Sequence, residues 1–186
     1  MRAEKCTVLL GLWLVGCAPK PVVLQPDASL PRTELEESSP VKPFVGTYKF
    51  VGGDEERARV EAEIDSVCEG FNVLIRGLAK DRLMKAVVVP TSLVLTAEAD
   101  VFTIREDEHP YAAKLDGTPI RVEMRSGDTM DLHYVFGEKL EQLFVNDAGT
   151  RTHTYELKDG KLSMHVHITS PKLPREIQYD LTFERA

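Results

Sequence analysis

The sequence is poor in cysteine and tryptophan, and it has no excess of positive charge. Its 186 residues include three cysteines and one tryptophan, and 30 acidic residues outnumber 23 lysines and arginines. The formal net charge of −7 disfavours nucleic acid and anionic headgroups as electrostatic partners. We therefore expect no nucleic-acid partner for this protein.

A long apolar run is missing as well. The apolar stretch at residues 7–15 is too short to span a bilayer, and it follows a start that contains basic residues. Residues 14–17, with the sequence Leu-Val-Gly-Cys, resemble the lipobox of bacterial lipoproteins. The resemblance implies that residues 1–16 are a lipoprotein signal peptide and that acylated Cys17 anchors the protein to a membrane.

Residues 17–41 carry the lipidated cysteine and a flexible, proline-rich tether. Six of the eleven prolines lie in or just behind this stretch, and its composition cannot bury enough apolar surface to fold. Ala18 follows Cys17, whereas the enterobacterial sorting pattern uses aspartate there to retain a lipoprotein at the inner membrane. We therefore expect a lipid-anchored protein of the cell envelope, at the outer membrane, with a folded domain at residues 42–186.

The cysteines cannot pair with one another in the mature protein. Cys6 would leave with the signal peptide and Cys17 would be acylated, so only Cys68 remains. Cys68 lies on the apolar face of a predicted helix, where a buried and unreactive thiol is the usual state. Stability must therefore come from a hydrophobic core, and the predicted domain is long enough to build one.

Residues 54–85 are the only long segment with helical periodicity. Asp54 is the predicted N-cap, and Glu55 should pair with Arg59 on the solvent side. An unbroken helix of this length would overhang the domain, so we expect a break at Gly70. One apolar face, which we expect to fill the core, consists of Val60, Ile64, Val67, Phe71, Leu74 and Leu78.

Ten short runs alternate between apolar and polar residues, as strands do. The first precedes the helical segment and the other nine follow it. They cover residues 44–51, 92–96, 100–105, 111–114, 119–124, 130–136, 140–145, 151–158, 161–169 and 176–184. Short connections with turn residues favour antiparallel pairing. The predicted fold class is mainly β: an antiparallel meander barrel of about ten strands with a helical pair inserted after the first strand.

This element order resembles the fatty-acid-binding-protein branch of the calycin, or lipocalin-like, barrels. Short pieces of sequence at residues 44–48, 99–104 and 157–162 are similar as well. That family binds a fatty-acid carboxylate through an arginine and a tyrosine in its last strand. Here Leu181 and Phe183 hold those positions, so the carboxylate clamp is not implied. The chain also resembles lipoproteins of myxobacterial type, which suggests a provenance but no activity.

A two-residue turn at residues 159–160 would make Lys158 and Lys161 partners in a hairpin. The apolar face of that hairpin should point into the barrel, with Leu162, Met164, Val166 and Ile168 on it. Three polar side chains share this inward face, namely Arg151, His153 and Tyr155. Residues 130–136 and 177–183 should present further inward faces in the same way.

An apolar lumen with a few convergent polar groups is the usual composition of a small-molecule site. The predicted function is therefore a non-enzymatic binder or carrier of a hydrophobic small molecule such as a lipid or fatty acid, with Arg151, His153 and Tyr155 at its carboxylate or phosphate head. The predicted ligand-lining residues are Leu132, Tyr134, Phe144, Arg151, His153, Tyr155, Met164, Val166 and Tyr179. In the alternative, the barrel is filled by its own side chains and the domain is an envelope scaffold for a protein partner.

Two histidines, His165 and His167, share one strand face at a spacing that some metal sites use. The register turns both outward, opposite threonines, and the sequence identifies no third ligand, so we expect no metal site. Known catalytic motifs, Gly-x-Ser-x-Gly and His-Glu-x-x-His among them, are missing from the sequence. We therefore expect no catalytic residues and no cofactor.

Overall fold

The structure is a computed structural model that describes residues 39–186. The predicted signal peptide, Cys17 and most of the predicted tether lie outside the described residues. Val41 is already buried and belongs to the same core cluster as Phe44. No helix in the described part of the chain combines the length and the hydrophobicity needed to cross a membrane.

Ten strands and two α-helices follow a short 3-10 turn at Lys42–Phe44, in the predicted order. The helices α1 (Gly53–Glu69) and α2 (Val73–Ala86) lie between the first two strands. The strands are β1 (Gly46–Phe50), β2 (Ser92–Glu98), β3 (Val101–Glu106), β4 (His109–Lys114), β5 (Ile120–Glu123), β6 (Thr129–Phe136), β7 (Leu140–Asn146), β8 (Gly149–Lys158), β9 (Lys161–Thr169) and β10 (Ile177–Arg185).

The strands form a single antiparallel sheet that curls into a nearly closed barrel, which confirms the predicted fold class. The strand order is β4-β3-β2-β1-β10-β9-β8-β7-β6-β5, so β1 pairs with both β2 and β10. Among the described residues, β4 and β5 are the two edge strands of the sheet. Side chains bridge the gap between the two edge strands. The Tyr134 hydroxyl donates to the carbonyl oxygen of Tyr111 at 2.7 Å, and His109 Nε2 lies 3.1 Å from the carbonyl oxygen of Glu123.

The β8–β9 hairpin has the predicted two-residue turn. Asp159 and Gly160 have positive φ angles of 52° and 78°, the backbone of a type I′ turn. Lys158 and Lys161 are partners as expected. Because side chains alternate along a strand, this register decides which residues of β8 and β9 face the interior.

The helical segment breaks where predicted, but only its first half fills the core. α1 ends at Glu69 with Gly70 as its C-cap, and it buries residues such as Val60 and Ile64. Leu74 and Leu78 on α2 are 90% and 57% exposed, so the prediction that they continue the buried face was wrong. The break reorients α2, so a periodicity counted through the break no longer marks one common face.

The thiol of Cys68, on the buried side of α1, is 2% exposed. Burial raises the pKa of this thiol and keeps it protonated and unreactive. This state agrees with the expectation of a buried, unreactive cysteine.

The start of α1 also differs from the prediction. Gly52, and not Asp54, is the N-cap, while Asp54 lies in the first turn, where its negative charge favours the helix dipole. Arg59 lies 3.6 Å from Glu56, so its predicted pairing with Glu55 was wrong. The reason is that Glu56 does not point into solvent but lies against the barrel wall, where it is only 8% exposed.

α1 completes the barrel wall beside β10. β1 pairs with β10 only at residues 183–185, the last three residues of β10. Further along β10, carboxylates of α1 take the place of a strand: Glu56 accepts from the backbone nitrogen of Thr182 at 2.8 Å, and Glu63 accepts from that of Gln178 at 3.3 Å. The helix is therefore tied to the sheet by hydrogen bonds as well as by apolar packing.

Candidate ligand-binding site

β8 brings its three polar side chains into the barrel, as predicted. His153 and Tyr155 are 1% and 0% exposed. Arg151 is partly buried at the end of the barrel next to α2, where its Nη1 donates to the carbonyl oxygen of Ala86 at 3.2 Å. The three side chains thus run from the helix-covered end of the barrel towards its centre.

The other predicted ligand-lining residues also lie on inward faces. All of them are buried, with Tyr179 the most exposed at 6%. They are Leu132, Tyr134, Phe144, Met164, Val166 and Tyr179. Their contact with a ligand remains a prediction.

Gln142 of β7 joins the polar side chains into one network, and sequence reasoning missed it. Its Oε1 accepts from the Tyr155 hydroxyl at 2.9 Å and lies 3.1 Å from His153 Nδ1. Its Nε2 donates to the Tyr134 hydroxyl at 3.4 Å. Successive side chains of a strand point to opposite faces, so Gln142 shares the inward face of Leu140 and Phe144.

His153 is held as a neutral imidazole with its proton on Nδ1. The Nε of Arg151 can only donate, and it lies 2.7 Å from His153 Nε2, so Nε2 must accept. The remaining ring proton then lies on Nδ1, directed at Gln142 Oε1. Burial, reinforced by the charge of Arg151, lowers the pKa of His153 and favours this neutral form.

Glu106, the last residue of β3, is a second inward polar residue that sequence reasoning missed. It is 3% exposed, and its Oε1 lies 3.4 Å from His153 Nδ1 on β8. Burial by itself would raise the pKa of Glu106, but the His153 contact and the positive charges of Arg151 and Arg125 outweigh it and hold that pKa below its usual value.

Two buried polar atoms here have no hydrogen-bond partner among residues 39–186. They are Glu106 Oε1 and the hydroxyl oxygen of Tyr179. The Nδ1–H of His153 does not satisfy Glu106, because Gln142 Oε1 is the closer acceptor at 3.1 Å against 3.4 Å. Most buried polar atoms in proteins are paired, so these two are candidates for contact with a polar group of a ligand.

The space between these polar groups is packed with side chains. A residue that lined an open chamber would retain accessible surface, yet Phe102, Leu132 and Phe144 have none. Phe102 and Tyr134 meet edge to face with ring centroids 5.0 Å apart, and so do Tyr111 and Phe144. In this conformation the barrel fills its own lumen, so binding requires side chains to move.

A groove of about 560 Å³ lies on the outer surface and includes none of the predicted ligand-lining residues. Its one basic residue is already paired, since Arg121 Nε lies 3.0 Å from Asp131 Oδ1. It is lined by Arg121, Thr129, Asp131, Val145, Asn146, Asp147 and Ala148. The interior cluster, with its unpaired atoms, is the better candidate site.

His165 and His167 point outward as predicted. His165 Nδ1 lies 2.8 Å from Asp180 Oδ1, and His167 Nε2 lies 2.8 Å from Glu176 Oε2. Within the described residues, no group of three or more histidines, cysteines or acidic residues comes together in a way that would hold a metal ion.

No protein-family model and no curated protein matches the sequence. Among solved structures, the chain is similar to lipid binding protein 8 of Caenorhabditis elegans, with a TM-score of 0.51, 16% identity, and coverage of 78% of this chain and 96% of that chain. It is also similar to fatty-acid-binding protein 1 of Echinococcus granulosus, with a TM-score of 0.47, 13% identity, and coverage of 78% and 98%. At such identities the likeness to the nematode protein shows the fold, that of a fatty-acid-binding-protein-type barrel.

Proposed function

We propose that this protein binds or carries a hydrophobic small molecule, such as a lipid, inside its barrel while an acyl anchor holds it at a membrane. The barrel fold and the composition of its interior support the proposal, because small-molecule sites combine apolar walls with a few polar groups. The proposed role is binding and transport, without catalysis.

The observation that carries the proposal is the pair of unsatisfied polar atoms inside the barrel. Glu106 Oε1 and the Tyr179 hydroxyl are buried and make no hydrogen bond of good geometry within residues 39–186, although the Arg151 guanidinium lies beside the Tyr179 hydroxyl. An unpaired buried polar group costs about 1–3 kcal/mol, which a bound polar group would recover. We define the polar region of the site by Glu106, Tyr179 and Arg151, because Arg151 Nε donates to His153, the neighbour of Glu106, and its Nη1 donates to the carbonyl oxygen of Ala86 at the α2 end of the barrel.

A ligand needs a way into the packed interior, and α2 is the element most easily moved. It has no buried residue. Lys80 Nζ pairs with Asp65 Oδ1 of α1 at 2.5 Å, but both side chains are about half exposed, and exposed pairs contribute only about 0–1 kcal/mol. Lifting α2 would break the bond from Arg151 to Ala86 and uncover the polar region.

Attachment to the outer membrane is part of the proposal and is supported by the lipobox resemblance at Cys17, outside the described residues. Several acyl chains on Cys17 would attach the protein stably to the membrane, whereas a single chain gives only weak, reversible binding. A proline-rich tether would let the domain reach several tens of ångströms from the membrane, at roughly 3 Å per residue. The membrane would then be both anchor and source of ligand.

The packed lumen favours a second candidate function, an envelope scaffold that binds a protein partner. Glu106 of β3 and His153 of β8 contact each other inside the barrel. In a scaffold, this contact would only help to specify one arrangement of the core. A scaffold needs no opening of the barrel and no displacement of α2.

Native mass spectrometry distinguishes the two functions. The full chain with Cys17→Ser, which cannot be acylated, is purified from cells without detergent. A carrier should retain a consistent extra mass that disappears on organic extraction and returns with added lipid extract. Protein that stays at its sequence mass after addition of the extract would contradict the carrier and favour the scaffold.

A pair of variants on β9 sharpens the test. Val166→Phe adds volume to the interior, where Val166 is 0% exposed, and should abolish the extra mass. Ser163→Phe makes a larger change on the outward face of the same strand and should retain it. Circular dichroism checks that both variants are folded.

A further inference from the structure

The hydrogen bonds of Arg151 join the interior of the barrel to α2. Its Nε donates to His153 Nε2 at 2.7 Å, and its Nη1 donates at 3.2 Å to the carbonyl oxygen of Ala86, the last residue of α2. Resting on the proposed function, in which the movement of α2 uncovers the ligand site, we propose that Arg151 is a latch that holds α2 against the barrel and that protonation of His153 releases it. Acidification then opens the way to the ligand site.

Arg151 contacts α2 at the end of the helix that lacks internal partners. The last carbonyl groups of an α-helix accept no hydrogen bond within the helix, and they form the negative end of its dipole. The guanidinium of Arg151 supplies the Ala86 carbonyl group with both a donor and a positive charge. α2 has 14 residues and none of them is buried, so the loss of this contact matters more than it would in a buried helix.

The hydrogen bond between Arg151 and His153 exists only while the imidazole ring is neutral. Arginine Nε can only donate, so His153 Nε2 must accept, and the single ring proton lies on Nδ1. A second ring proton can go only to Nε2, which then becomes a donor as well. Two N–H groups and two positive charges would face each other across 2.7 Å, so the Arg151 side chain has to leave.

Glu106 is placed to keep His153 inside the barrel once the ring is protonated. Its Oε1 makes no hydrogen bond among residues 39–186, and it lies 3.4 Å from His153 Nδ1. In the neutral state Gln142 Oε1 is the closer acceptor of the Nδ1 proton, at 3.1 Å. A positive ring strengthens the contact with a carboxylate, so protonation exchanges the bond to Arg151 for a bond to Glu106. His153 therefore has a partner in each of its two protonation states.

The other ionisable groups around His153 come from five strands and from the turn after β5. The phenols keep their protons at neutral and acid pH, because burial raises the pKa of each of them. The arginines keep their charge over the same range. A proton that this cluster takes up on acidification therefore enters the pair formed by His153 and Glu106. The surrounding groups are Glu106, Tyr111, Arg125, Tyr134, Arg151, Tyr155 and Tyr179.

The test measures the opening of α2 by hydrogen–deuterium exchange and mass spectrometry of the full chain carrying Cys17→Ser. The exchange rate of the α2 amides is divided by that of the α1 amides in the same sample, which cancels the effect of pH on the exchange chemistry. We expect this exchange ratio to rise about tenfold between about pH 7.5 and about pH 4.5, as the loss of one hydrogen bond from a charged donor implies. The midpoint of the rise should coincide with the protonation of His153 Nε2, which nitrogen chemical shifts of the ring report.

Two variants assign the opening to the latch. His153→Gln keeps an acceptor opposite Arg151 but cannot take up a proton, so its exchange ratio should stay low at both pH values. Arg151→Gln removes the latch, so its exchange ratio should be about tenfold higher already at neutral pH and should no longer respond to acid. Arg151 is only partly buried, so this second variant decides the question if His153→Gln does not fold.

Two matched controls change neighbouring features without touching the latch. His165→Gln removes a histidine from the outer face of β9, where it pairs with Asp180. Lys80→Gln removes the exposed ion pair between α2 and Asp65 of α1. Both variants should retain the pH response of α2.

The outcomes separate the latch from the function on which it rests. The latch is overturned if the exchange ratio does not change with pH, if the pH response persists in Arg151→Gln, or if α2 opens while the His153 ring remains neutral. Each of these results leaves the carrier function standing, because native mass spectrometry tests the retention of ligand without a change of pH. Acid opening of α2 in a protein that retains no ligand would overturn the carrier and leave the latch as a property of α2.

Discussion

The carboxylate of Glu56 in α1 accepts hydrogen bonds from both the backbone nitrogen and the hydroxyl of Thr182 in β10, at 2.8 and 2.7 Å. The two residues lie 126 positions apart in the sequence. Their contact stands where β1 no longer pairs with β10, so a helix side chain satisfies a strand edge. α1 is therefore part of the barrel wall, whereas α2 is only laid beside it.

Removing this carboxylate should loosen the wall. Glu56→Ala leaves the two Thr182 donors without their acceptor and should lower the free energy of unfolding by about 1–3 kcal/mol. Urea denaturation of the full chain with Cys17→Ser measures the loss. Glu61→Ala changes an exposed glutamate of the same helix and should cost less than about 0.5 kcal/mol. Equal losses in the two variants would show that the Thr182 contact does not hold α1 in place.

Two glycines in the helical region should respond to alanine in opposite ways. A Cβ at Gly70 would lie 2.6 Å from Cβ of Pro174, so Gly70→Ala should destabilise the domain by about 1–3 kcal/mol. A Cβ at Gly77, inside α2, would meet nothing within 4 Å. Gly77→Ala should therefore stabilise by about 0.5–1 kcal/mol, through the better helix propensity of alanine. Thermal unfolding compares the two, and a stabilising Gly70→Ala would mean that the loop at Pro174 gives way freely.

Truncation of an apolar side chain should cost much more stability in α1 than in α2. Ile64 of α1 is 0% exposed, and Ile64→Ala should cost about 2–5 kcal/mol through lost burial and the cavity left behind. Leu74 of α2 is 90% exposed, and Leu74→Ala should change stability by less than about 0.5 kcal/mol. Chemical denaturation of both variants provides the measurement. A large loss at Leu74 would mean that α2 buries its apolar face in solution.

His153 should remain neutral at pH 7 with its proton on Nδ1. Its pKa in the folded protein lies below the value of about 6.5 that an unfolded chain gives. Below that pH the unfolded chain binds more protons than the folded one, so this residue makes stability fall as the pH drops through and below about 6.5. Nitrogen chemical shifts of the imidazole ring report both the tautomer and the titration.

The neighbouring guanidinium offers the control for this prediction. Arg151→Gln removes a positive charge beside the ring, so the pKa of His153 should rise and the loss of stability at acid pH should shrink. A His153 ring that is protonated at pH 7, or that carries its proton on Nε2, would contradict the hydrogen-bond network around Gln142.

The polar interior could be predicted only in part from the sequence. Alternation along β8 placed His153 and Tyr155 inside, because the turn at Asp159 and Gly160 sets the register locally. Glu106 and Gln142 also continue the inward alternation of their strands, but both interrupt an apolar series and give no sign of a partner. Their partners lie on other strands, and the alternation along one strand does not show which strands face each other across the barrel.

By itself the sequence determined the ten strands, their order, the break at Gly70 and the inward face of the last hairpins, because periodicity and turn chemistry are properties of neighbouring residues. The tertiary structure alone decided that β1 closes onto β10, that Glu56 turns to the wall, that the apolar side of α2 stays in solvent, and that Glu106 meets His153. Each of these depends on contacts between residues far apart in the chain, whose geometry appears only once the sheet has curled.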